Sequence, residues 1–397
     1  MLAAYLYGPR DLRLVEREPL PLRPQDIRVE VAYSGICGTE LHLYGGMIFG
    51  APAAEPQPLG HEFCGRVVEV GEAVTSLRLG DRVTAIPGGP CYQCELCRIG
   101  RPSMCPNRVS IRSGAWARTL VLPAQIAWRV PDEVSDRAAT LTEPLACAIR
   151  AVDRSEMRSG DRVCVVGGGP IGLLIAAIAR ASGARTLVLS EPRAFRRRLG
   201  ERLGVDRAVD PTAEDLGALA RELSDGLGFD VVFEAVGHPR TVEQAISLAA
   251  PGGTVVIAGV ADRDELASFR PQELFFKELT IRGTKGVTYG VDRALRWLGR
   301  PATSGARNGT SGARNGPSGA RDGPSGARNG PSGARNGPSG ARDGPSGARD
   351  GPDAGTPARD ALDLELLITH TLPLARAQEA VELALSGDSG KVVLQPG

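Results

Sequence analysis

A glycine-rich turn between a predicted strand and a predicted helix constrains the fold of this chain most. The residues from 167 to 172 read Gly-Gly-Gly-Pro-Ile-Gly; an apolar run precedes them, and a helical pattern follows at 173–182. In that position Gly167 permits a tight turn, Gly169 lets a pyrophosphate approach the amino terminus of the helix, and Gly172 allows close packing. The arrangement therefore predicts a dinucleotide-binding unit built on parallel strands.

A carboxylate after the next predicted strand bears on which dinucleotide is bound. Glu191 follows the strand at 186–190 and lies nineteen residues past the last glycine of the turn. A carboxylate there can accept both ribose hydroxyls and would repel a 2′-phosphate, which favours NAD. Arginines follow at 193, 196, 197 and 198, and one of them could pair with that phosphate, so NADP is the alternative. The residues that we expect to contact the cofactor are Gly167, Gly169, Pro170, Ile171, Gly172, Glu191 and Arg196.

Composition excludes several classes of protein. The chain of 397 residues has 47 basic and 46 acidic side chains, and this balance argues against a nucleic-acid or membrane-surface partner. Residues 163–179 carry no charge, but their clustered glycines suit a strand, a turn and a buried helix better than a membrane span. No basic segment followed by an apolar run opens the chain, so we expect a soluble cytoplasmic protein whose eight cysteines are metal ligands and buried thiols.

Four of those cysteines have the spacing of a structural zinc site. Cys91, Cys94, Cys97 and Cys105 lie in a segment that is rich in Gly, Pro and Arg and poor in apolar residues. Four thiolates at such intervals can close a tetrahedron around zinc, and a closed site of that kind is structural. The alternative is four unrelated thiols in one loop.

A second group of residues offers the ligand types of a catalytic zinc: Cys37, His61 with Glu62, and Glu143. His61 and Glu62 are adjacent at the start of a predicted strand, so both can reach one ion only if the backbone turns, which Gly60 permits. The alternative for this pair is an ordinary surface contact.

Two polar residues beside Cys37 extend this prediction to proton transfer. The Thr39 hydroxyl is near enough in sequence to bond an alcohol oxygen held on the zinc, and His42 could then carry a proton toward solvent. Both would be ordinary polar loop residues without the metal.

Together, Cys37-Gly-Thr39, Gly60-His-Glu62, the four-cysteine segment and Glu143-Pro-Leu145 resemble the zinc-dependent medium-chain dehydrogenase/reductase family, in its sorbitol dehydrogenase-like branch. The resemblance implies Cys37 and His61 as catalytic zinc ligands with Glu62 as the third. Glu143 would take a position where other branches have a cysteine, binding the metal directly or through water. The resemblance also implies two zinc ions per subunit and a homodimer or homotetramer.

The predicted fold is α/β, with a GroES-like β-barrel catalytic domain and a Rossmann domain that has a doubly wound parallel sheet. Short alternating strands in the first part of the chain favour the barrel, and strands alternating with helices from 161 onward favour the sheet. A helix at 375–386 and a strand at 391–394 are expected to rejoin the first domain. The predicted boundaries are 1–150 and 288–397 for the zinc-binding domain and 151–287 for the Rossmann domain.

Residues 301–357 interrupt this pattern. Ser304 to Pro352 is seven copies of Ser-Gly-Ala-Arg-Asn/Asp-Gly-Pro, with threonine closing the first copy. A repeat without large apolar residues cannot form a core, so we predict a flexible, solvated insert. Its seven arginines and three aspartates could support weak contacts with polyanions, although a tolerated repeat expansion is the favoured explanation.

The predicted activity is hydride transfer between NAD(H) and a secondary alcohol, polyol, sugar or cyclitol at a zinc centre. Polyol dehydrogenases carry an Arg-Tyr pair after the last sheet strand, and the segment beginning at Gly283 lacks it, which argues against sorbitol itself. Tyr44, Phe49 and Trp116 would line the pocket by analogy or belong to the core. The alternative function is a non-catalytic NAD-binding sensor that uses the basic repeat as an interaction arm.

Overall fold

The computed structural model describes residues 1–47, 56–286, 290–300 and 363–397. Phe49, the predicted insert at 301–357 and the predicted domain boundary at 287/288 lie outside the described residues. The strands are β1 Leu2–Leu6, β2 Leu12–Glu16, β3 Asp26–Gly35, β4 Gln57–Pro58, β5 Glu62–Val70, β6 Arg82–Ala85, β7 Gly88–Gly89, β8 Val109–Ser110, β9 Thr119–Pro123, β10 Ala127–Arg129, β11 Arg162–Val166, β12 Thr186–Ser190, β13 Arg207–Val209, β14 Phe229–Glu234, β15 Ala249–Ile257, β16 Thr280–Gly283, β17 Ile368–Pro373 and β18 Lys391–Gln395. The α-helices are α1 Gly38–Gly45, α2 Glu95–Arg98, α3 Asp136–Ala139, α4 Thr142–Ser155, α5 Pro170–Ala181, α6 Ala194–Arg202, α7 Leu216–Leu223, α8 Pro239–Leu248, α9 Pro271–Lys277, α10 Val291–Leu298 and α11 Ala377–Ser386.

Six parallel strands form the sheet that the glycine-rich turn predicts. Their order is β13-β12-β11-β14-β15-β16, so the chain reverses its direction of growth between β11 and β14. This is the order of a doubly wound sheet, in which ligands bind at the carboxyl ends of the strands beside that reversal. The glycine-rich turn leaves β11 at this point.

Helix α5 shows why residues 163–179 carry no charge. Strand β11 is buried from its second residue on, and α5 buries eight of its twelve residues against the sheet. Pro170 occupies the first turn of α5, where its fixed φ suits a helix start and its missing N–H has no partner to lose. Among the described residues, none of the helices has the length and apolar character that a membrane span requires.

A largely antiparallel sheet holds the amino-terminal elements together with the end of the chain. Its strand order is β10-β6-β5-β3-β18-β17, and β9 also pairs with β3. Strand β3 is its centre, because Gly35 lies opposite Glu62 on β5 and opposite Val393 on β18. The predicted return of the last strand to the first part of the chain is therefore observed, while the residue boundaries between the two domains stay a prediction.

The predicted helices and strands are found within a few residues. Helix α11 and strand β18 lie within two residues of the predicted 375–386 and 391–394. Helix α8 ends at Leu248, because Ala249 already pairs with Phe229 as the first residue of β15. The first 135 residues also contain α1 and α2, short helices that begin at Gly38 and Glu95. Both helices begin directly after a cysteine that the sequence predicts as a zinc ligand.

Candidate metal centre and cofactor crevice

Gly60 makes the turn that brings two adjacent side chains to the same place. Its φ of +92° lies in the left-handed region, and a Cβ there would stand 2.7 Å from the backbone nitrogen of Trp116 and overlap its ring. His61 precedes β5, and Glu62 begins it. Ligand atoms of His61, Glu62 and Glu143 consequently lie within 4.8 Å of one another.

Cys37 reaches the same histidine from the start of α1. Ligand atoms of Cys37, Glu40 and His61 lie within 4.8 Å of one another, so the structure brings together residues that the sequence separates by 24 positions. His61 belongs to both groups, and the two groups therefore form one cluster. We refer to Cys37, Glu40, His61, Glu62 and Glu143 as the acidic metal centre.

Glu40 is a member of this centre that the sequence reasoning missed. Its carboxylate is 4% exposed and accepts from the backbone N–H of Cys37 at 2.9 Å and of Gly60 at 3.3 Å. It also lies 2.7 Å from His61 Nδ1. A carboxylate on one ring nitrogen orients the imidazole and leaves the other nitrogen for a metal. The signal was the capping-box spacing of an acid three residues after the helix cap, here with Cys37 as the cap.

Burial and crowded acids shift the pKa values in the centre. Burial raises the pKa of Glu143, His61 lowers it and Glu62 raises it, and the net pKa is about 7. Burial also raises the pKa of the Cys37 thiol, with Glu62 acting in the same direction. For His61, burial lowers the pKa, but Glu40 and Cys37 raise it more, and the net pKa is well above its ordinary value. Each of these shifts reflects negative charge that has little water to stabilise it.

The donor set of the acidic metal centre fits zinc. It offers a thiol, an imidazole and carboxylates, which are the ligand types of catalytic zinc sites. Glu62 is fully buried, and its Oε1 has no hydrogen-bond partner among the described residues. A buried carboxylate oxygen without a partner is costly, and a divalent cation would satisfy it.

Lys391 is the second residue that the sequence reasoning missed. It begins β18, is 2% exposed and forms an ion pair with Glu62 Oε2. Its ammonium group also donates to the carbonyl oxygen of Ile36 at 2.9 Å. Sequence patterns did not single it out, because its partners are brought to it only by the pairing of β18 with β3.

Thr39 and His42 both lie on α1, beside the centre. Thr39 is exposed, and its hydroxyl oxygen is 3.6 Å from Cys37 Sγ. His42 is half-buried one turn further along the helix. Tyr44 and Trp116 belong to the core instead of an open pocket. Tyr44 is 7% exposed and accepts from Gln378, and Trp116 is 1% exposed and donates to the carbonyl of Gly35.

The four cysteines predicted for structural zinc form one compact cluster. Their sulfur atoms lie 3.5 Å apart for Cys94 and Cys97, 3.7 Å for Cys94 and Cys105, and 3.5 Å for Cys91 and Cys105. Four sulfurs at a Zn–S distance of about 2.3 Å would be about 3.8 Å apart. Backbone N–H groups of Gln93 and Cys94 point at Cys91 and lower the pKa of its thiol to about 6. Burial and Cys94 raise the pKa of the Cys97 thiol to about 12, so it is the spacing of the sulfurs that supports a closed metal site.

The glycine-rich turn has the geometry that its sequence predicts. Gly167 has a φ of +103°, and a Cβ on Gly172 would overlap the carbonyl oxygen of Gly167. A Cβ on Gly169 would meet nothing within 4 Å, so the face above the start of α5 is open. Pro170 and Ile171 form the first turn of that helix. An anion can therefore reach the backbone at the amino terminus of α5.

Glu191 lies directly beside this turn. It is 4% exposed, and its two carboxylate oxygens accept from the backbone N–H of Gly168 at 2.7 Å and of Arg193 at 2.8 Å. Arg196, which the sequence reasoning placed at the cofactor, donates from Nε to the carbonyl of Ser389 at 3.0 Å. Arg197 donates to the backbone of Glu191, and through this bond α6 supports the loop that carries the carboxylate.

The remaining three cysteines lie in the hydrophobic core or pack against it. Cys164 is fully buried in the parallel sheet, as expected for a buried thiol. Cys64 is also fully buried, with its Sγ 3.6 Å from Asp136, and Cys147 packs against the same core with its Sγ 3.9 Å from Glu143. Cys147 thus borders the acidic metal centre one helical turn beyond Glu143.

Comparisons with known proteins agree with this geometry. Residues 23–132 match the family model of the alcohol dehydrogenase GroES-like domain, and residues 170–300 match that of zinc-binding dehydrogenase. A sorbitol dehydrogenase of Halalkalibacterium halodurans is 35% identical over 274 residues, which cover 68% of this chain and 78% of the relative. An L-threonine 3-dehydrogenase of Pyrococcus horikoshii is 35% identical over 292 residues, covering 71% and 83%. Among solved structures, a zinc-binding dehydrogenase of Sinorhizobium meliloti bound to NADP superposes with a TM-score of 0.78 at 29% identity, covering 100% of this chain and 99% of that one. None of these matches favours a non-catalytic sensor.

Proposed function

Because the chain belongs to the zinc-dependent medium-chain alcohol dehydrogenase family, whose members are oxidoreductases acting on alcohols and polyols, we propose that the acidic metal centre is its active site. The observation that carries the proposal is that ligand atoms of Cys37 and of two buried carboxylates, Glu62 and Glu143, each lie within 4.8 Å of a ligand atom of His61. Cys37 and His61 would hold the catalytic zinc, and Glu62 or Glu143 would complete its protein ligands. When bound, zinc would lower the pKa of a substrate hydroxyl, and NAD would accept the hydride.

The chain's own residues then provide orientation and a path for the proton. Glu40 fixes the ring of His61 through Nδ1, so that the imidazole keeps one orientation. Thr39 stands 3.6 Å from Cys37 Sγ and would accept the proton of the substrate hydroxyl. His42, on the same helix, would pass that proton to solvent.

We propose NAD as the cofactor, supported by the position of Glu191. Its carboxylate is held by two backbone N–H groups at the carboxyl end of β12, where a ribose is expected to bind. A 2′-phosphate would meet this fixed negative charge. Turnover with NAD and with NADP should therefore differ at least about tenfold in favour of NAD. A clear preference for NADP would contradict the role of Glu191.

The substrate class is proposed to be secondary alcohols, polyols, sugars or cyclitols, in oxidation or in the reverse carbonyl reduction. The test is a panel of these compounds with both cofactors, run beside a measurement of zinc per chain. We expect two zinc ions per chain, one in the acidic metal centre and one in the four-cysteine cluster, and turnover with at least one class. A chain that binds NAD but oxidises or reduces no member of the panel would contradict the proposal.

We also propose that the chain forms a homodimer or homotetramer. Strand β16 is at the edge of the parallel sheet, and the chain segment that precedes it carries exposed apolar side chains: Leu266 is 85% exposed, Phe275 75% and Phe276 73%. A second copy of the chain would cover these side chains. The molar mass from light scattering tests the proposal, and Phe275→Ser with Phe276→Ser should shift it toward the monomer. A wild-type monomer at micromolar concentration would contradict it.

A further inference from the structure

Lys391 is an unexpected residue for its position, because lysine is rarely fully buried. Only three of the 47 basic side chains are lysines, and one of the three is buried to 98% inside the acidic metal centre. A lysine ammonium is a compact point charge with three donors that rotate freely, whereas a guanidinium is a rigid planar fork. In a chain that uses arginine for nearly all of its cations, this buried lysine contacts the carbonyl oxygen of Ile36 and the carboxylate of Glu62.

The ammonium group of Lys391 contacts two oxygens of different kinds, a backbone carbonyl oxygen and a carboxylate oxygen, and it has a different role at each. One is the carbonyl of Ile36 at 2.9 Å, which anchors Lys391 to the chain segment just before Cys37. The other is Glu62 Oε2, and both side chains of this ion pair are at most 3% exposed. Among the described residues neither Glu62 oxygen has a hydrogen-bond partner, so the ion pair alone engages Oε2 and leaves Oε1 for the centre.

The backbone is shaped around this pair. Gly35 lies opposite Glu62 in the β3–β5 ladder and opposite Val393 in the β18–β3 ladder. A Cβ on Gly35 would overlap Glu62 Oε2 and stand 3.1 Å from Lys391 Cε. Only glycine at residue 35 leaves room for the carboxylate and the lysine stem together. The ion pair is therefore a built feature of three adjacent strands and not a chance surface contact.

The charge around the pair explains why a cation is needed there. Four groups that carry negative charge when ionised meet in the centre, namely Cys37, Glu40, Glu62 and Glu143. A zinc ion offsets two of these charges, and a buried excess of negative charge is costly. Lys391 supplies one further positive charge without taking a metal-ligand position.

We propose that Lys391 is a positioning residue of the metal centre that holds Glu62 by one carboxylate oxygen and offsets one negative charge beside the metal. This inference rests on the metal centre proposed above. A positioning role for Lys391 predicts a change in zinc affinity that a purely structural role does not predict. Removing the positive charge should strengthen zinc binding, because the full charge of Glu62 becomes available to the metal. It should destabilise the zinc-free protein most, because Glu62 then lacks any partner.

The test is the zinc affinity of the full chain, measured by chelator competition, with melting temperatures of the zinc-loaded and zinc-free forms. Lys391→Met removes the charge but keeps a stem of similar volume, Lys391→Arg keeps the charge, and Lys277→Met is the control at a lysine that pairs with Glu273 at the surface. We expect Lys391→Met to bind zinc at the centre at least about tenfold more tightly, with a larger loss of melting temperature in the zinc-free form. Lys391→Arg keeps the positive charge, so it should bind zinc less tightly than Lys391→Met, and Lys277→Met should match the wild type.

A Cys37→Ala chain retains only the four-cysteine cluster. Subtracting its bound zinc from that of the wild type gives the zinc bound at the acidic metal centre. A wild-type chain with no more zinc than Cys37→Ala would show that the proposed centre itself is wrong, and the role of Lys391 would fall with it. If the wild type does hold the second zinc, unchanged affinity in Lys391→Met with equal destabilisation of both forms would overturn the inference. Weaker zinc binding would overturn it too. Should Lys391→Met not fold, Glu62→Gln is compared with Glu62→Gln/Lys391→Met, and the double variant must bind zinc more tightly than the single one.

Discussion

The two candidate zinc sites of this chain differ in how they are assembled. The four-cysteine cluster draws all its thiols from residues 91–105, three of which are half-buried, in a segment with little apolar content. The acidic metal centre draws on α1, the start of β5 and α4, and Lys391 joins it from the last strand of the chain. In the first site a metal would organise the chain; in the second the folded chain organises ligands for a metal. This difference predicts opposite consequences when one ligand is removed from each.

The largest effect is expected at the acidic metal centre. Cys37→Ala removes the thiolate, so turnover should fall at least about a thousandfold, because the hydroxyl pKa is no longer lowered. Steady-state kinetics give the loss, and titration with NADH should show a dissociation constant within about twofold of the wild type. The melting temperature should change little, since the surrounding sheet is already packed. Retained turnover would show that the chemistry lies elsewhere.

The reverse pattern is expected at the four-cysteine cluster. Cys94→Ser should release one zinc and lower the free energy of unfolding by about 3 kcal/mol or more, because metal binding there contributes directly to folding. The protein that stays soluble should keep most of its turnover. Cys164→Ala is the matched control, since it removes a buried thiol from the sheet without loss of zinc. Equal stability of Cys94→Ser and the wild type, measured by denaturant unfolding, would remove the distinction between the two sites.

A smaller effect is expected from Glu40, which acts on the metal through His61. Glu40→Gln keeps the shape but removes the charge that holds Nδ1, so zinc affinity at the centre should fall about 10- to 100-fold. The four-cysteine cluster should keep its zinc, and the same chain therefore contains its own control. Chelator competition measures the zinc affinities of the two sites separately, because the Cys37→Ala chain gives the affinity of the four-cysteine cluster alone. Unchanged affinity would mean that Glu40 serves only to cap α1.

The same contrast explains which features could be predicted from the sequence. The four-cysteine cluster could be predicted because its four ligands are close together in the sequence. The glycine-rich turn could be predicted because its strand, turn and helix are consecutive. The turn at Gly60 could be predicted too, since two adjacent ligands can reach one ion only through a turn. Glu40 and Lys391 were missed because their roles depend on partners that are distant in sequence. Lys391 lies 355 residues from the carbonyl of Ile36 that it binds, and only the register of β18 on β3 brings them together.

The smallest effect should come from shortening the repeat insert, which tests whether the two zinc sites differ in their dependence on the chain after residue 301. The thiol cluster lies wholly before residue 301, whereas the acidic metal centre needs Lys391, which follows the insert. Because the entropy of closing a loop grows only with the logarithm of its length, replacing 301–357 by a short Gly-Ser linker should change the free energy of unfolding by about 2 kcal/mol or less. Zinc content and turnover should stay within about twofold of the wild type. Loss of zinc from the acidic metal centre alone would instead show that the insert is required to return β18 to β3, and the centre would then depend on a segment that contributes no ligand to it.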